Sequence, residues 1–493
     1  MINTTYKNII ANYVGKLWGF ISIFLFIRIY IDILGLQSYA IISFYSTVLG
    51  ILAFADSGLT ATLSREMAKK SDLNDKANLL YTFERIYIII CVLIILIVLV
   101  LSDYISRNFL KSDVYSESQI SYYIKLIGIG IGLQLFSSLY EGGLMGLQKQ
   151  VLTNKIKICW GAFRSGLVIL PLYFIPKLEL YFIWQIISNF LLLIIIRKYL
   201  WDELKNSQNN YFSKELLRKI WKYALGMMLI GLVSSINIQI DKIITSKLLD
   251  LKLFGYYSLA TTISQVPFLV VSPLMAAVFP LFTNSVSSNN LNLTKEHFHK
   301  YSYIISLVSA GVAFSIFFYA KDLIYVWTGD QSISASIDFS VKILVVGGLF
   351  LCIQLSPFYL ALANGYTKIN IISGTICVAF IVPMMYYSIH KNGLNGASLP
   401  WLFINVFSFF LIGTVILKKF LRTELFKWLF LDVFVPLTTA FVISFIVYHS
   451  TTYFKVPFYS ILKCGFIFIT SAFVNILIYN RLNSESPLFR IKI

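Results

Sequence analysis

The residues best placed to do chemistry are ionisable groups set inside long apolar runs. Arg164 stands almost at the midpoint of the run Ile156–Ile175, and Lys16 about a third of the way into Ile9–Ile31. Asp56 is about as deep in Tyr39–Leu63. Asp241 and Lys242, near the outer end of Tyr223–Ser246, belong to a polar ladder that begins at Ser234 and ends at Lys247. A charged group facing hydrocarbon costs roughly 2.5 kcal/mol or more, so such groups face a cavity or a partner. At about 100° per residue, Ser235, Gln239, Lys242 and Ser246 share one helical stripe, and Ser234, Asn237 and Asp241 the next. The ladder extends the apolar helix Ala224–Val233, so its alternating isoleucines read as a polar-faced helix beside a water-filled pathway rather than as a strand.

Depth sorts the remaining charges. Arg28 and Asp32 (an i,i+4 pair), Lys125 and Lys342 lie toward the outer ends of their runs, and Arg65, Arg85, Glu141 and Lys157 toward the inner ends. Groups at the ends read as snorkelling or ion-paired. Arg164 and Lys16 read as cavity-lining, with pairing to Asp56 as the alternative. Deep basic groups outnumber deep acidic ones, which implies an anionic ligand. Arginine grips phosphate through two parallel hydrogen bonds and lysine adds a point charge, so a phosphate or diphosphate suits them. A cation-coupled drug exporter would bury acidic groups as its main ion sites instead.

Composition sets the class. The chain has 493 residues, 58% hydrophobic and only 13% charged, with a mean hydropathy of +0.76. A soluble protein carries about 25% charged residues. Continuous apolar runs of about 20 residues specify membrane helices and exclude an alternating outer-membrane barrel. The first run is long, holds Lys16 and lacks a small-residue cleavage site, so it reads as a retained span. Net charge is +18, from 41 Lys+Arg and 23 Asp+Glu. With no soluble module to hold nucleic acid, that excess belongs mainly to basic loops. The five cysteines fall in apolar segments without a CxxC, as packing residues. Gly128–Gly132 reads GIGIG inside a span and fits close helix packing. His297 and His299 are expected in a cytoplasmic loop, and no histidine pairing has metal-ligand spacing. Without a Walker A sequence or nucleophile elbow, the chain reads as a non-enzymatic secondary transporter with no cofactor and no metal.

The fold expected is all-α and integral to the membrane, with about 14 transmembrane helices. They run from Ile9–Ile31 to Val456–Tyr479, with Arg197–Lys222 as the only long hydrophilic connector. With the N-terminus cytoplasmic, about 24 basic residues fall on the inner side against about 8 outside. Both termini are then cytoplasmic. Leu34-Gly35-Leu36-Gln37-Ser38-Tyr39-Ala40 resembles Leu249-Asp250-Leu251-Lys252-Leu253-Phe254-Gly255. This repeat predicts two six-helix lobes related by a pseudo-two-fold, 1–205 and 206–420, followed by a helix pair and tail at 421–493.

Asn237-Ile-Gln-Ile-Asp241-Lys242-Ile-Ile, followed by Leu248 to Ala260 and by Pro280, resembles bacterial polysaccharide flippases. So do Phe54-Ala-Asp56-Ser-Gly58-Leu, Gly143-Leu-Met-Gly146-Leu-Gln-Lys149 and Leu362-Ala-Asn364-Gly365-Tyr-Thr-Lys368. These are O-antigen or lipid-linked-oligosaccharide translocases of the multidrug/oligosaccharidyl-lipid/polysaccharide exporter superfamily. The resemblance implies a bacterial inner-membrane protein that flips undecaprenyl-diphosphate-linked repeat units for O-antigen, lipopolysaccharide or capsule synthesis. It further implies polymerase and ligase machinery and membrane lipids as partners. The cationic-cavity role is carried to Lys16, Arg28, Lys125, Arg164 and Lys242. Asp56 and Asp241 become charge partners or sites of proton or sodium coupling. Resemblance to lipid II flippases also suggests that the last helix pair shapes a lipid groove. A multidrug antiporter, a lipid II flippase and a non-transporting scaffold of glycan assembly are the competing readings.

Overall fold

Long apolar runs leave the backbone one way to satisfy its N–H and C=O groups in hydrocarbon, the α-helix. The computed structural model describes residues 2–69, 72–205, 210–450 and 457–482, and all regular structure among them is helical. In chain order the helices are α1 (Ile2–Leu34), α2 (Leu36–Lys69), α3 (Leu73–Phe109) and α4 (Glu117–Gly146). Next come α5 (Gln150–Gly161), a π-helical turn (Ala162–Leu167), α6 (Ile169–Phe174) and α7 (Leu178–Glu203). After the connector follow α8 (Lys214–Leu248), α9 (Leu251–Ser264), α10 (Val266–Ser287), α11 (Leu291–Thr328), α12 (Gln331–Ile353) and α13 (Leu355–Ala363). Last are α14 (Lys368–Phe420), α15 (Leu425–Lys427), a second π-helical turn (Trp428–Phe434), α16 (Val435–Ser450) and α17 (Tyr459–Leu482).

Thirteen described segments are long and apolar enough to cross a membrane. One of them, Ile372–Phe420, has about twice the length a crossing needs and breaks at Gly393, whose φ of 55° suits glycine. It therefore supplies two spans, which gives the expected fourteen. The expected eighth span is parted at Gln265, because Pro267 has no N–H to return to the preceding turn. His297 and His299 are not in a loop: Asn290 accepts the Leu293 N–H at 3.0 Å and starts α11 before them.

The helices form two compact units, Met1–Gly255 and Tyr256–Ile493. The first unit includes α8, which lies along α2. In that unit α2, α3, α4 and α7 enclose a core that includes Ile41, Leu80, Phe83, Ile131 and Ile196. The GIGIG segment does bring helices together: a Cβ on Gly128 would stand 2.8 Å from Val98, and one on Gly132 would stand 2.6 Å from Ile95. Ile89, Leu93, Ile97 and Val100 recur along one exposed face of α3, an apolar stripe for lipid. All five cysteines are free thiols.

In the second unit α11 is central. Its buried Ser302, Ser306, Ser309 and Ser315 are small, which permits close approach of neighbouring helices. α17 crosses it where Gly311 meets Phe468 and Ser471. Tyr303 Oη donates to the Asn475 carbonyl at 2.9 Å, and Ser460 Oγ donates to Asp322 at 2.8 Å. Polar contacts near both ends of α17 thus fasten it to the unit.

The α2–α8 contact depends on a missing side chain. A Cβ on Gly58 would stand 2.4 Å from the Ala224 carbonyl oxygen and 2.7 Å from the Met228 nitrogen. Backbone cannot yield as a side-chain tip can. We expect Gly58→Ala to cost about 1–3 kcal/mol through overpacking. Gly226→Ala, on α8 with nothing within 4 Å of its Cβ, is the control and should be neutral to slightly stabilising, because alanine favours a helix interior. Thermal unfolding of the purified protein in detergent compares them, and equal stability of the two variants would refute this account of the seam.

Candidate functional site

The span that carries Arg164 departs from α-helical geometry where the arginine sits. Between α5 and α6, residues Ala162–Leu167 form a π-helical turn. A π turn widens the helix by pairing its carbonyls five residues on rather than four, and the widened turn lets its carbonyls take further donors from neighbouring helices. Three consecutive carbonyls receive one from a side chain. Trp184 Nε1 donates to Phe163 O at 3.1 Å, Gln185 Nε2 to Arg164 O at 3.4 Å, and Tyr30 Oη to Ser165 O at 2.5 Å. Small residues make room for this: Gly161 lies against Trp18 and Gly166 against Phe26.

The turn directs Arg164 toward α2 and α7. Its Nε donates to Gln185 Oε1, and its Nη2 donates to Tyr45 Oη at 3.3 Å. Tyr45 Oη in turn donates to Gln134 Oε1 on α4 at 2.7 Å. The guanidinium carbon lies 4.9 Å from the Trp160 ring centroid and 5.6 Å from that of Tyr45. All of these partners are neutral, and Arg164 forms no ion pair with a carboxylate among the described residues. Hydrogen bonds to a charged group contribute about 1.5–3 kcal/mol each and a desolvated cation–π contact about 2. Together they offset the cost of holding the cation at depth. They do not cancel its charge, and a guanidinium has more N–H donors than these two bonds use.

The other expected site residues are placed differently. Asp56 accepts from Thr60 Oγ1 and from Tyr87 Oη (2.5 Å), so hydroxyls rather than Arg164 hold it. Arg28 Nε lies 3.8 Å from Asp32, with both side chains about half exposed. Lys125 Nζ lies 3.9 Å from Asp103, again at the surface of the protein. Asp241 is buried and Lys242 half-buried on α8, where Gln239 of the same ladder rests against Gly50 of α2. The ladder is one helix, as expected, with Thr245 and Ser246 buried while Val233 and Ile238 are exposed. The Lys16 side chain lies outside the described residues. Of the expected cations whose side chains are described, Arg164 is the one held by hydrogen bonds and ring contacts from several helices.

Sequence reasoning missed that shell. Gln134 and Gln185 were legible as amides in mid-span, whereas Tyr45 and Trp160 carry no such signal. It also missed a buried carboxylate, Glu84, which accepts from Tyr140 Oη (2.7 Å), Trp201 Nε1 (2.9 Å) and Arg197 Nε (3.1 Å). Glu84 and Arg197 line a cavity of about 560 Å³ with Tyr81, Lys198 and Asn210. With three donors on its carboxylate, Glu84 ties α3, α4 and α7 together.

Residues 5–286 match the family described as "Polysaccharide biosynthesis protein". A "Putative O-antigen transporter" of Shigella flexneri is 21% identical over 372 residues, 75% of this chain and 87% of that one. Among solved structures, the lipid II flippase MurJ in an inward closed conformation aligns over 98% of this chain and 100% of its own, with a TM-score of 0.77 at 14% identity. An inward-facing multidrug resistance transporter of the MATE family and MOP superfamily aligns over 84% of this chain and 96% of its own, with a TM-score of 0.67 at 17% identity. The chain shares the fold of these multi-pass membrane proteins, and the match over residues 5–286 shows that it belongs to the polysaccharide biosynthesis protein family.

Proposed function

We propose that this chain is a flippase that carries undecaprenyl-diphosphate-linked oligosaccharide repeat units across the bacterial inner membrane by alternating access. The observation that carries the reading is Arg164, a cation at mid-span whose hydrogen-bond and ring partners are neutral. At an effective dielectric of about 20, a charge pair about 4 Å apart is worth about 4 kcal/mol, against about 1 in bulk water. A diphosphate entering the shell would be held strongly, taking over donors that now face Gln185 and Tyr45. Family membership supports a polysaccharide precursor as the substrate, and the O-antigen relative supports transport. Both termini are proposed to be cytoplasmic, in line with the basic inner loops. Polymerase and ligase enzymes would consume the flipped product.

Movement of the head group would follow from rocking of two lobes, with the polyprenyl tail left in lipid. The last helix pair offers a place for that tail. Ile446, Val447, Ser450, Tyr459, Leu462, Lys463 and Phe466 line a largely apolar cavity of about 710 Å³ between α16 and α17.

Two experiments test the reading. Arg164→Ala should weaken apparent affinity for the lipid-linked repeat by about tenfold to a hundredfold, the worth of one or two hydrogen bonds to a charge. In cells, the repeat unit should then accumulate in the inner leaflet while surface polysaccharide falls and drug susceptibility stays unchanged. Arg164→Lys should restore only part of the loss, because a point charge cannot reproduce the planar fork. Normal export by Arg164→Ala would sink the cavity role and favour a scaffold; a change in drug resistance alone would favour an antiporter. The second experiment fills the groove with Leu462→Trp. Transport of a long-chain polyprenyl substrate should fall while that of a short-chain analogue holds, and an equal effect on both chain lengths would remove the groove from the mechanism.

A further inference from the structure

A second buried polar array lies in the unit Tyr256–Ile493 and shares no residue with the Arg164 shell. His299 on α11 is buried, and both ring nitrogens face carboxylates. Nδ1 stands 2.5 Å from Asp432 Oδ2, and Nε2 stands 3.1 Å from Glu424 Oε2. Asp432 sits in the π-helical turn Trp428–Phe434 and is itself buried. Lys295, one turn before His299, reaches Glu424 Oε1 at 2.7 Å, and Thr423 Oγ1 donates to the same oxygen at 2.7 Å. Lys427 and Tyr303 also face Asp432, and Tyr479, packed on the Tyr303 ring, faces both Asp432 and Glu296.

A neutral imidazole carries one N–H, so its other nitrogen would present a lone pair to a carboxylate oxygen. Both contacts become attractive when one proton is added. The ring is then an imidazolium donating to both carboxylates, or Asp432 is protonated and donates to a neutral ring. The charges agree with this. Lys295, Glu424 and Asp432 together carry one negative charge, and the added proton brings the array to zero. Lys427 is exposed and makes no ion pair among the described residues, so solvent screens it. Buried charge is tolerated where it is paired and hydrogen-bonded. Glu424 is not the proton's carrier. Burial works to raise its carboxyl, but hydrogen bonds from Lys295, Thr423 and His299 prevail and hold it down at about 2. Its own contribution to stability is therefore present at neutral pH and lost only as the pH falls toward that value.

We propose that His299 and Asp432 form a proton-binding site, and that a proton held there is the ion coupled to transport, in place of Asp56 or Asp241. With the proton bound, the π turn ahead of α16 is latched to α11. Without it, Asp432 and Glu424 repel one another across a neutral ring and the latch is released. The coupling step rests on the flippase reading above; the proton site does not.

The test compares the full-length wild type with H299Q/D432N, which replaces the pair by neutral groups and leaves Lys295–Glu424 intact. Thermal stability in detergent is followed between about pH 5 and about pH 8, where imidazoles change charge. A proton held by the folded chain and released on unfolding makes wild-type stability fall as the pH rises. The double variant should lose that fall, and parallel profiles would overturn the site. Asp432→Asn alone serves if the double variant does not fold, because a neutral His299 can then donate to Glu424 without conflict. In proteoliposomes, a pH gradient should drive accumulation of the lipid-linked repeat by the wild type, while the variant retains only gradient-independent exchange. Gradient-driven accumulation by the variant would overturn the coupling. If neither protein moves the repeat unit, the flippase reading fails with its coupling step, and the stability profiles still decide the proton site.

Discussion

Hydrocarbon offers no hydrogen bonds, and that constraint shapes the polar features described within the spans of this protein. At the π-helical turn Ala162–Leu167 it accounts for which side chains stand nearby. The carbonyls of Phe163, Arg164 and Ser165 accept hydrogen bonds from Trp184, Gln185 and Tyr30 on two other helices. Those donors fix the relation of the turn to α1 and α7, and so fix where the guanidinium points. The same constraint explains why Arg164 is wrapped in amides and aromatic faces, and why Glu84 gathers three donors. Unsatisfied polar groups in this medium cost several kcal/mol each, more than most packing differences.

The two π turns among the described residues each carry an ionisable side chain that neighbouring helices meet with polar groups. One carries Arg164, and the other carries Asp432 against His299. A widened turn displaces a side chain from the face that an uninterrupted helix would give it. In each case the displaced residue is ionisable, and neighbouring helices supply the groups that receive it. The units Met1–Gly255 and Tyr256–Ile493 each contain one such place.

Much of the fold was legible because hydropathy and helix length are local properties. All fourteen spans, the GIGIG packing and the helical ladder from Ser234 to Lys247 follow from runs and spacing alone. Arg164 was legible too, since a charge at mid-span stands out whatever surrounds it. The shell around it was not, because tyrosine and tryptophan are ordinary in membrane helices and their convergence is tertiary. His299 was misplaced for a related reason. The polar residues Asn290 to Lys300 read as a loop, yet Asn290 caps a helix that carries them. Pairing was tertiary too: Asp56 lies about as deep in its run as Lys16 and stood as the alternative partner for Arg164, yet its carboxylate accepts from Thr60 and Tyr87 instead.

The π turn also bears on how such a span can be edited. Relative to an α-helix, a π turn is a single extra residue, so everything beyond it is rotated by about 100°. Removing one residue from Ala162–Leu167 would let the span close into an unbroken α-helix that needs no outside donors. The helix itself would lose nothing. Trp184, Gln185 and Tyr30 would lose their acceptors, and Ile169–Phe174 would show a different face to its surroundings. The turn is thus a one-residue insertion held open by its neighbours, and the register of the span beyond it is stored in three side chains that belong to other helices.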